Sequence, residues 1–416
     1  MSASVFALRL VEQEVEGLVH RLRQVKPFAL QETMVPAAQP RGDTLRRIDQ
    51  HLLNGRSTLL ASAQEFRQWL RSRQAEHSRS ESIYRRYVFL RLQLTAALTQ
   101  FDLFADAITQ RSEAETGVLL SGLETLARDA LAIPQAPYTS PPLLCYLDRG
   151  IGAAIRRART RLPGGGENPV AIIRVPRERM VGLGIASSLV HEAGHQGAAL
   201  LDMVATLRRG MEPMLTAAPP EFNPWHAWYR WISEIVADLW SVSRVGMASS
   251  LGLINVVSLP RAFVFRANTD DPHPTPWIRV LLSIEIGSRL YPDPGWRKLA
   301  GLWHLSYPSN RPDIGDRHAL ALSERHVPLF VDWLMRQRLP AAGGRDIWTV
   351  FHDPVIATGA LDEHLERWRR DPIYPDRLRP CQLFALTGYA RLTRGRAPVP
   401  EASHIHRSLV RWALLP

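Results

Sequence analysis

Lysine is almost missing from this 416-residue chain: only Lys26 and Lys298 occur, so nearly all of the 51 basic residues are arginine. Cysteine is as scarce. Cys145 and Cys381 are too few for a disulfide framework or a cysteine-built zinc site, and such sparing use fits a reducing compartment. Long apolar runs are also lacking. The nearest is residues 245–260, uncharged between Arg244 and Arg261 but studded with serine, glycine, asparagine and proline. It is too short and too polar for a membrane span and reads as a buried helix and loop. The first eighteen residues carry Glu12, Glu14 and Glu16 and have no apolar stretch after a basic start, so no secretory signal is read. A cytoplasmic protein is the resulting expectation.

A net charge of +11 invites a nucleic-acid partner, but its spread argues against one: +2 over residues 1–140, +5 over 141–300 and +4 over 301–416. The densest run, Arg156, Arg157, Arg159 and Arg161, reads as the solvated face of a basic helix over residues 150–161. With 22% charged residues the chain is neither disordered nor fibrous. No nucleic-acid partner and no transmembrane segment are expected.

Domains of roughly 100–200 residues make this a chain of two or three. Residues 1–140 read as a helical region, with Leu8, Val11, Val15 and Val19 at helical spacing, further helices over 84–107 and 116–132, and loops at 27–40 and 76–82. Pro134, Pro137, Pro141 and Pro142 then mark a boundary. Residues 141–300 follow with a short strand over 143–147, a glycine-rich loop over 162–169 and a β-branched strand over 170–175. No Gly-Lys-Ser/Thr follows the glycines, so they are not a phosphate loop. Pro169 and Pro176 bracket the second strand, as at strand ends or on an edge strand. A long helix over 179–207, a proline-rich loop over 212–224 and a helix over 226–244 come next. Residues 301–416 are again mostly helical, broken at Pro308, Pro312, Pro340 and Pro372. The fold class expected is mainly α (α+β), with a small sheet against a central helix.

The chemistry concentrates in His191-Glu192-Ala193-Gly194-His195, inside a helical pattern. Positions i and i+4 share a helix face, so His191 and His195 can aim two imidazoles at one metal, and Glu192, one step round, can reach a water there. Chance supplies this pattern roughly 0.02 times in a chain of this composition. Two neutral nitrogens suit zinc, which needs one more protein ligand and leaves a fourth position to water. A metzincin would place glycine and histidine where Ala198 and Leu201 stand, so that class fails. Asp202 is one residue out of step for an acidic third ligand. A glutamate from a second helix is the remaining common solution, and Glu234 supplies it. Glu234 and Asp238 are again i and i+4, among Trp231, Ile232, Ile235, Val236, Leu239 and Trp240. A carboxylate pair in such surroundings is costly to bury without partners. A metal for Glu234 and a ligand imidazole N–H for Asp238 would remove that cost. Further on stands Asp271-Pro272-His273-Pro274, with Arg279 beyond it.

Three segments in this order, His191/Glu192/His195, Glu234/Ala237/Asp238 and His273/Pro274/Arg279, resemble the gluzincin metallopeptidases of the HtpX and CAAX-prenyl-endoprotease type. Those enzymes carry His-Glu-x-x-His, Glu-x-x-Ala-Asp and His-Pro-x-x-x-x-Arg. The apolar strand and glycine-rich loop over 163–175 also look like that family's approach to its motif helix. The resemblance covers about residues 160–290, and the family's hallmark membrane spans are not read here. It implies a zincin-like core and a zinc endopeptidase with one Zn(2+) per chain, held by His191, His195 and Glu234, and Asp238 behind the ligands. It further implies Glu192 as the base, His273 near the substrate or the reacting oxygen, and Arg279 holding local structure or a carboxylate. The strand over 170–175 would take a peptide or protein substrate as an added strand. A different class of function is also open: a non-hydrolytic zinc protein in which the metal ties helices together and the flanking helical regions bind a partner.

Overall fold

A computed structural model describes residues 3–72, 80–134, 137–149, 153–162, 165–177, 180, 182–217, 219, 223–266, 271–309, 317–394 and 401–414. Several expectations touch residues outside these: 76–79, 150–152, 163–164, 178–179, 181, 218, 220–222 and Pro312. The protein is mainly helical, with one three-stranded and one two-stranded sheet, and is therefore of the mainly α (α+β) class.

Two compact units are present. The first comprises Met1–Ser121, Pro141–Tyr146 and Arg156–Ile172; the second comprises Gly122–Ser140, Leu147–Ile155 and Ile173–Pro416. In the first, helices Ala3–Gln24, Gly42–Leu70 and Ser80–Ile108 pack together because apolar residues recur every three or four positions on each. Val11, Val15, Leu18 and Leu22 meet Leu59, Ala63 and Leu70 and also Ile83, Tyr87, Leu90 and Leu94. A second cluster joins Phe28, Ile48, Leu52, Phe104 and Ile108 to Leu144, Leu162, Val170 and Ile172. The stretch at 27–40 is not wholly irregular: it holds the short turns Phe28–Gln31 and Pro36–Ala38.

Among the described residues 153–161 the basic helix expected over 150–161 is not formed. Residues Ala154–Arg156 are a strand, Arg159 takes a left-handed φ of 64°, and the chain doubles back through an antiparallel bridge between Arg161 and Glu167. Asn168 holds this turn by donating from its side chain to the carbonyls of Arg156 and Arg157. The four arginines therefore do not line one helix face.

Strands β1 (Leu143–Asp148), β2 (Ala154–Arg156) and β3 (Ala171–Pro176) form a sheet in the order β1-β3-β2. The central place of β3 corrects the reading of residues 170–175 as an open edge for a substrate strand: each side of β3 already carries a neighbour. Apart from the half-buried Arg174 its sequence is apolar and buried at every position, the signature of a strand covered on both faces.

In the second unit the expected single helix over 179–207 is broken. A π-helical turn, Ala186–Val190, leads into helix His191–Leu200. Asp202 then adopts φ 48°, ψ 35°, a conformation that short polar side chains tolerate, before helix Met203–Leu215 begins. That helix carries Pro213 in its last turn, so the proline-rich loop starts later than expected. Helix Trp225–Val245 ends at Gly246, whose φ of 53° favours glycine, and the buried helix Met247–Val257 follows. Helices Pro276–Leu290, Pro294–Ser306, Arg317–Arg336, Thr358–Arg370, Pro380–Arg394 and Glu401–Leu414 complete the unit. Pro308 and Pro372 fall between helices and Pro340 opens the short 3-10 helix Pro340–Ala342, whereas Pro328 sits inside a helix. Both cysteines are buried and free. Among the described residues no helix is long and apolar enough to cross a membrane.

Candidate metal centre

All seven residues singled out from the sequence lie in the second unit, on three elements and one loop. His191, Glu192 and His195 occupy helix His191–Leu200, Glu234 and Asp238 lie on Trp225–Val245, His273 precedes Pro276–Leu290, and Arg279 is on that helix.

Two glycines let the first two helices approach. A Cβ added at Gly194 would stand 2.8 Å from the Trp240 Cβ and 3.0 Å from the Ala237 carbonyl oxygen, and one added at Gly197 would run into the Trp240 indole. The indole is fixed by its Nε1, which donates to the Ala130 carbonyl at 2.9 Å. Gly252 plays the same part against the π-helical turn: a Cβ there would collide with the Leu183 carbonyl and the Ser187 side chain. The turn's wider backbone resets the register of the chain immediately before His191, a device common at functional sites.

The close approach brings three potential ligands together. One ligand atom each from His191, His195 and Glu234 all lie within 4.8 Å of one another. His191 Nε2 is 3.3 Å from Glu234 Oε2, and His195 Nε2 is 3.3 Å from Glu234 Oε1. A tetrahedral ion with ligands at about 2.0–2.1 Å spaces them by roughly 3.4 Å, so each imidazole lies near that distance from one Glu234 oxygen, His191 from Oε2 and His195 from Oε1, and the trio would draw in slightly around an ion. The two imidazoles meet edge to face, with centroids 4.8 Å apart. Glu234 Oε2 is buried and accepts no hydrogen bond among the described residues. That oxygen has only loose ion-pair neighbours, His191 Nε2 at 3.3 Å, His273 Nε2 at 3.4 Å and Arg279 Nη2 at 3.6 Å, so a metal ion there would offset its desolvation further. The donor set, its clustering within 4.8 Å and this loosely held carboxylate oxygen fit a bound metal ion.

Behind the ligands, His191 Nδ1 is 2.8 Å from Asp238 Oδ1. Arg279 closes on the same carboxylate from the third helix, with Nε to Oδ2 at 2.7 Å and Nη2 to Oδ1 at 2.9 Å. This two-pronged contact fixes the carboxylate plane and therefore the imidazole. Arg279 Nη2 also lies 3.6 Å from Glu234 Oε2.

Charge follows from this packing. Burial would by itself lower the His191 pKa, but the Asp238 carboxylate overrides it and holds the imidazole up at about 9. Burial would raise Asp238, yet Arg279 and His191 keep it down at about 2. Glu234 is likewise held well below the usual carboxylate range, against its burial, by His191, His195 and Arg279.

Glu192 is buried in the first turn of its helix, and Arg279 feels its charge. His273 is half exposed, with Nε2 3.4 Å from Glu234 Oε2. Its other nitrogen, Nδ1, sits 2.7 Å from Asp271 Oδ1. Asp271 was not singled out from the sequence, although an acid two residues before a histidine is a recognisable turn signal. The glycine–tryptophan contact also escaped it; the only hint was glycine at a free position of the motif.

Comparison of the chain with protein-family models, with curated proteins and with solved structures finds no match.

Proposed function

We propose that this protein is a zinc-dependent metallo-endopeptidase of the gluzincin kind, hydrolysing peptide bonds at the His191/His195/Glu234 cluster. The observation that carries the reading is the buried Glu192, next in the chain to His191 and near enough for its charge to act on Arg279: a site that merely ties helices together has no use for a base there. The buried His191–Asp238–Arg279 chain supports it, since a ligand imidazole backed by a carboxylate is the usual support of a zinc ligand.

When bound, zinc supplies a Lewis acid that acidifies a water and polarises a carbonyl. This chain's residues would do the remainder. Glu192 takes the proton of the attacking water and passes it to the leaving amine. Asp238, clamped by Arg279, holds the His191 ring with Nε2 toward Glu234. His273 stands on the exposed side of Glu234, where its Nε2 can face the oxygen that gains negative charge.

The test is elemental analysis of tag-free protein together with turnover of a peptide library. About one zinc per chain is expected, and Glu192→Gln should keep that zinc while losing turnover by about 10²–10⁴-fold or more. A Glu192→Gln protein as active as the parent sinks the mechanism. Zinc without turnover in the parent instead favours a regulatory, non-hydrolytic zinc protein.

A further inference from the structure

We infer that Asp271 is a positioning residue for His273, and that Arg266 anchors it; the catalytic meaning of this strap rests on the peptidase reading. His273 lies in a loop, half exposed, with two rotatable bonds and prolines on either side. Nothing in its own helix holds the ring, because the first turn of Pro276–Leu290 begins beyond it. Asp271 supplies what the helix does not. One oxygen, Oδ1, accepts both the His273 backbone N–H at 3.0 Å and the ring Nδ1–H at 2.7 Å. The other, Oδ2, accepts from Arg266 Nη2 at 2.6 Å. Thr275 then closes the loop by donating its hydroxyl to the Arg266 carbonyl at 3.4 Å.

The backbone contact fixes where the histidine starts and the side-chain contact fixes how its ring is turned. With its Nδ1–H committed to Asp271, Nε2 is the one ring nitrogen left for the site; it stands 3.4 Å from Glu234 Oε2, and it donates an Nε2–H to a reacting oxygen when the ring is an imidazolium carrying both protons. His273 itself does not belong to the trio whose ligand atoms lie mutually within 4.8 Å. It is therefore placed as a group that faces a reacting oxygen from the side, and its value depends on orientation. A ring free to turn about its side-chain bonds would spend most of its time aimed elsewhere, so the strap acts as preorganisation. Asp271 does not touch substrate in this scheme; its whole effect passes through His273.

That dependence gives a decisive measurement. In the zinc-loaded full-length chain, Asp271→Ala should lower kcat by about 10–100-fold with KM and zinc content unchanged. In a His273→Ala background the same change should do almost nothing further, since the group it positions is gone. Asp271→Asn, which keeps the turn acceptor, guards against a loss caused by misfolding and should fall between parent and Asp271→Ala. Independent additive losses in the double variant overturn the proposal. A second readout needs no turnover: NMR of ¹⁵N-labelled histidine side chains in the parent should show His273 with a proton fixed on Nδ1, and Asp271→Ala should release it while His191 and His195 stay unchanged. Unaltered His273 signals in Asp271→Ala overturn the strap. A parent that shows the fixed proton but no peptide turnover upholds the strap and overturns the peptidase reading instead.

Discussion

At the scale of single residues, the centre is governed by how His191 is held. Its imidazole carries a proton in the metal-free protein up to about pH 9, because Asp238 outweighs the burial that would strip it. A metal ion can use Nε2 only after that proton leaves, while Glu234 and Asp238 are already ionised across the neutral range. Zinc binding between pH 6 and 8 should therefore release the His191 proton. Apparent affinity should strengthen about tenfold per pH unit as pH rises and level off near pH 9. Calorimetry in buffers of different ionisation enthalpy reads both quantities. Asp238→Asn should weaken zinc affinity by about 10–100-fold, because it loosens the ring and leaves Arg279 without its partner. Much of this was legible: His191, His195, Glu234 and Asp238 follow from two i, i+4 pairs. The Arg279 clamp rested on resemblance alone, since a residue 41 positions from Asp238 has no local periodicity to tie it there.

At the scale of elements, the centre depends on two helices meeting closer than ordinary side chains permit. Gly197→Ala puts a methyl group into the Trp240 indole, which has no room to retreat because its Nε1 is tied to Ala130. Overpacking of this kind should destabilise the protein by about 1–3 kcal/mol and weaken zinc binding as the helices part. Gly301→Ala is the matched control. It lies in helix Pro294–Ser306 with nothing within 4 Å of the added Cβ, so alanine should stabilise by about 0.5–1 kcal/mol. Chemical denaturation of the three proteins tests the contrast. The helices at 84–107 and 226–244 were readable because their apolar stripes are local. The helix expected over 150–161 was not, because alternation and arginine content there fit either state and the bridge from Arg161 to Glu167 decided it.

At the scale of the molecule, the candidate centre lies within one unit that gathers residues from 122 to the C-terminal helices. A buried polar knot shows how far apart in sequence its parts come from. Arg244, fully buried, donates to Asp353 Oδ2 at 3.0 Å and to the Asp129 carbonyl at 3.3 Å, and Asp129 Oδ2 accepts the Cys381 backbone N–H at 2.8 Å. Tyr291 donates to the Ser243 carbonyl and accepts from the Asp353 backbone N–H. Arg244→Met should cost up to about 3–5 kcal/mol, since it leaves the buried Asp353 Oδ2 with only the more distant Arg379 guanidinium at 3.6 Å. Adding Asp353→Asn should recover part of that loss, and thermal unfolding of the two variants reads it.

What the sequence determined by itself is local. Helix period put two histidines on one face and two carboxylates on another, and apolar spacing made the protein mainly helical, because those properties depend on neighbours within a few residues. Only the tertiary structure decided that β3 is a central strand, that Glu234 stands 3.3 Å from both imidazoles, and that Asp271 reaches the His273 ring. The first two depend on which distant backbones can touch, and the meeting of the ligand helices needs glycines at 194 and 197 to leave space for one tryptophan, whereas the Asp271 contact spans two residues and rests on how the loop turns before helix Pro276–Leu290.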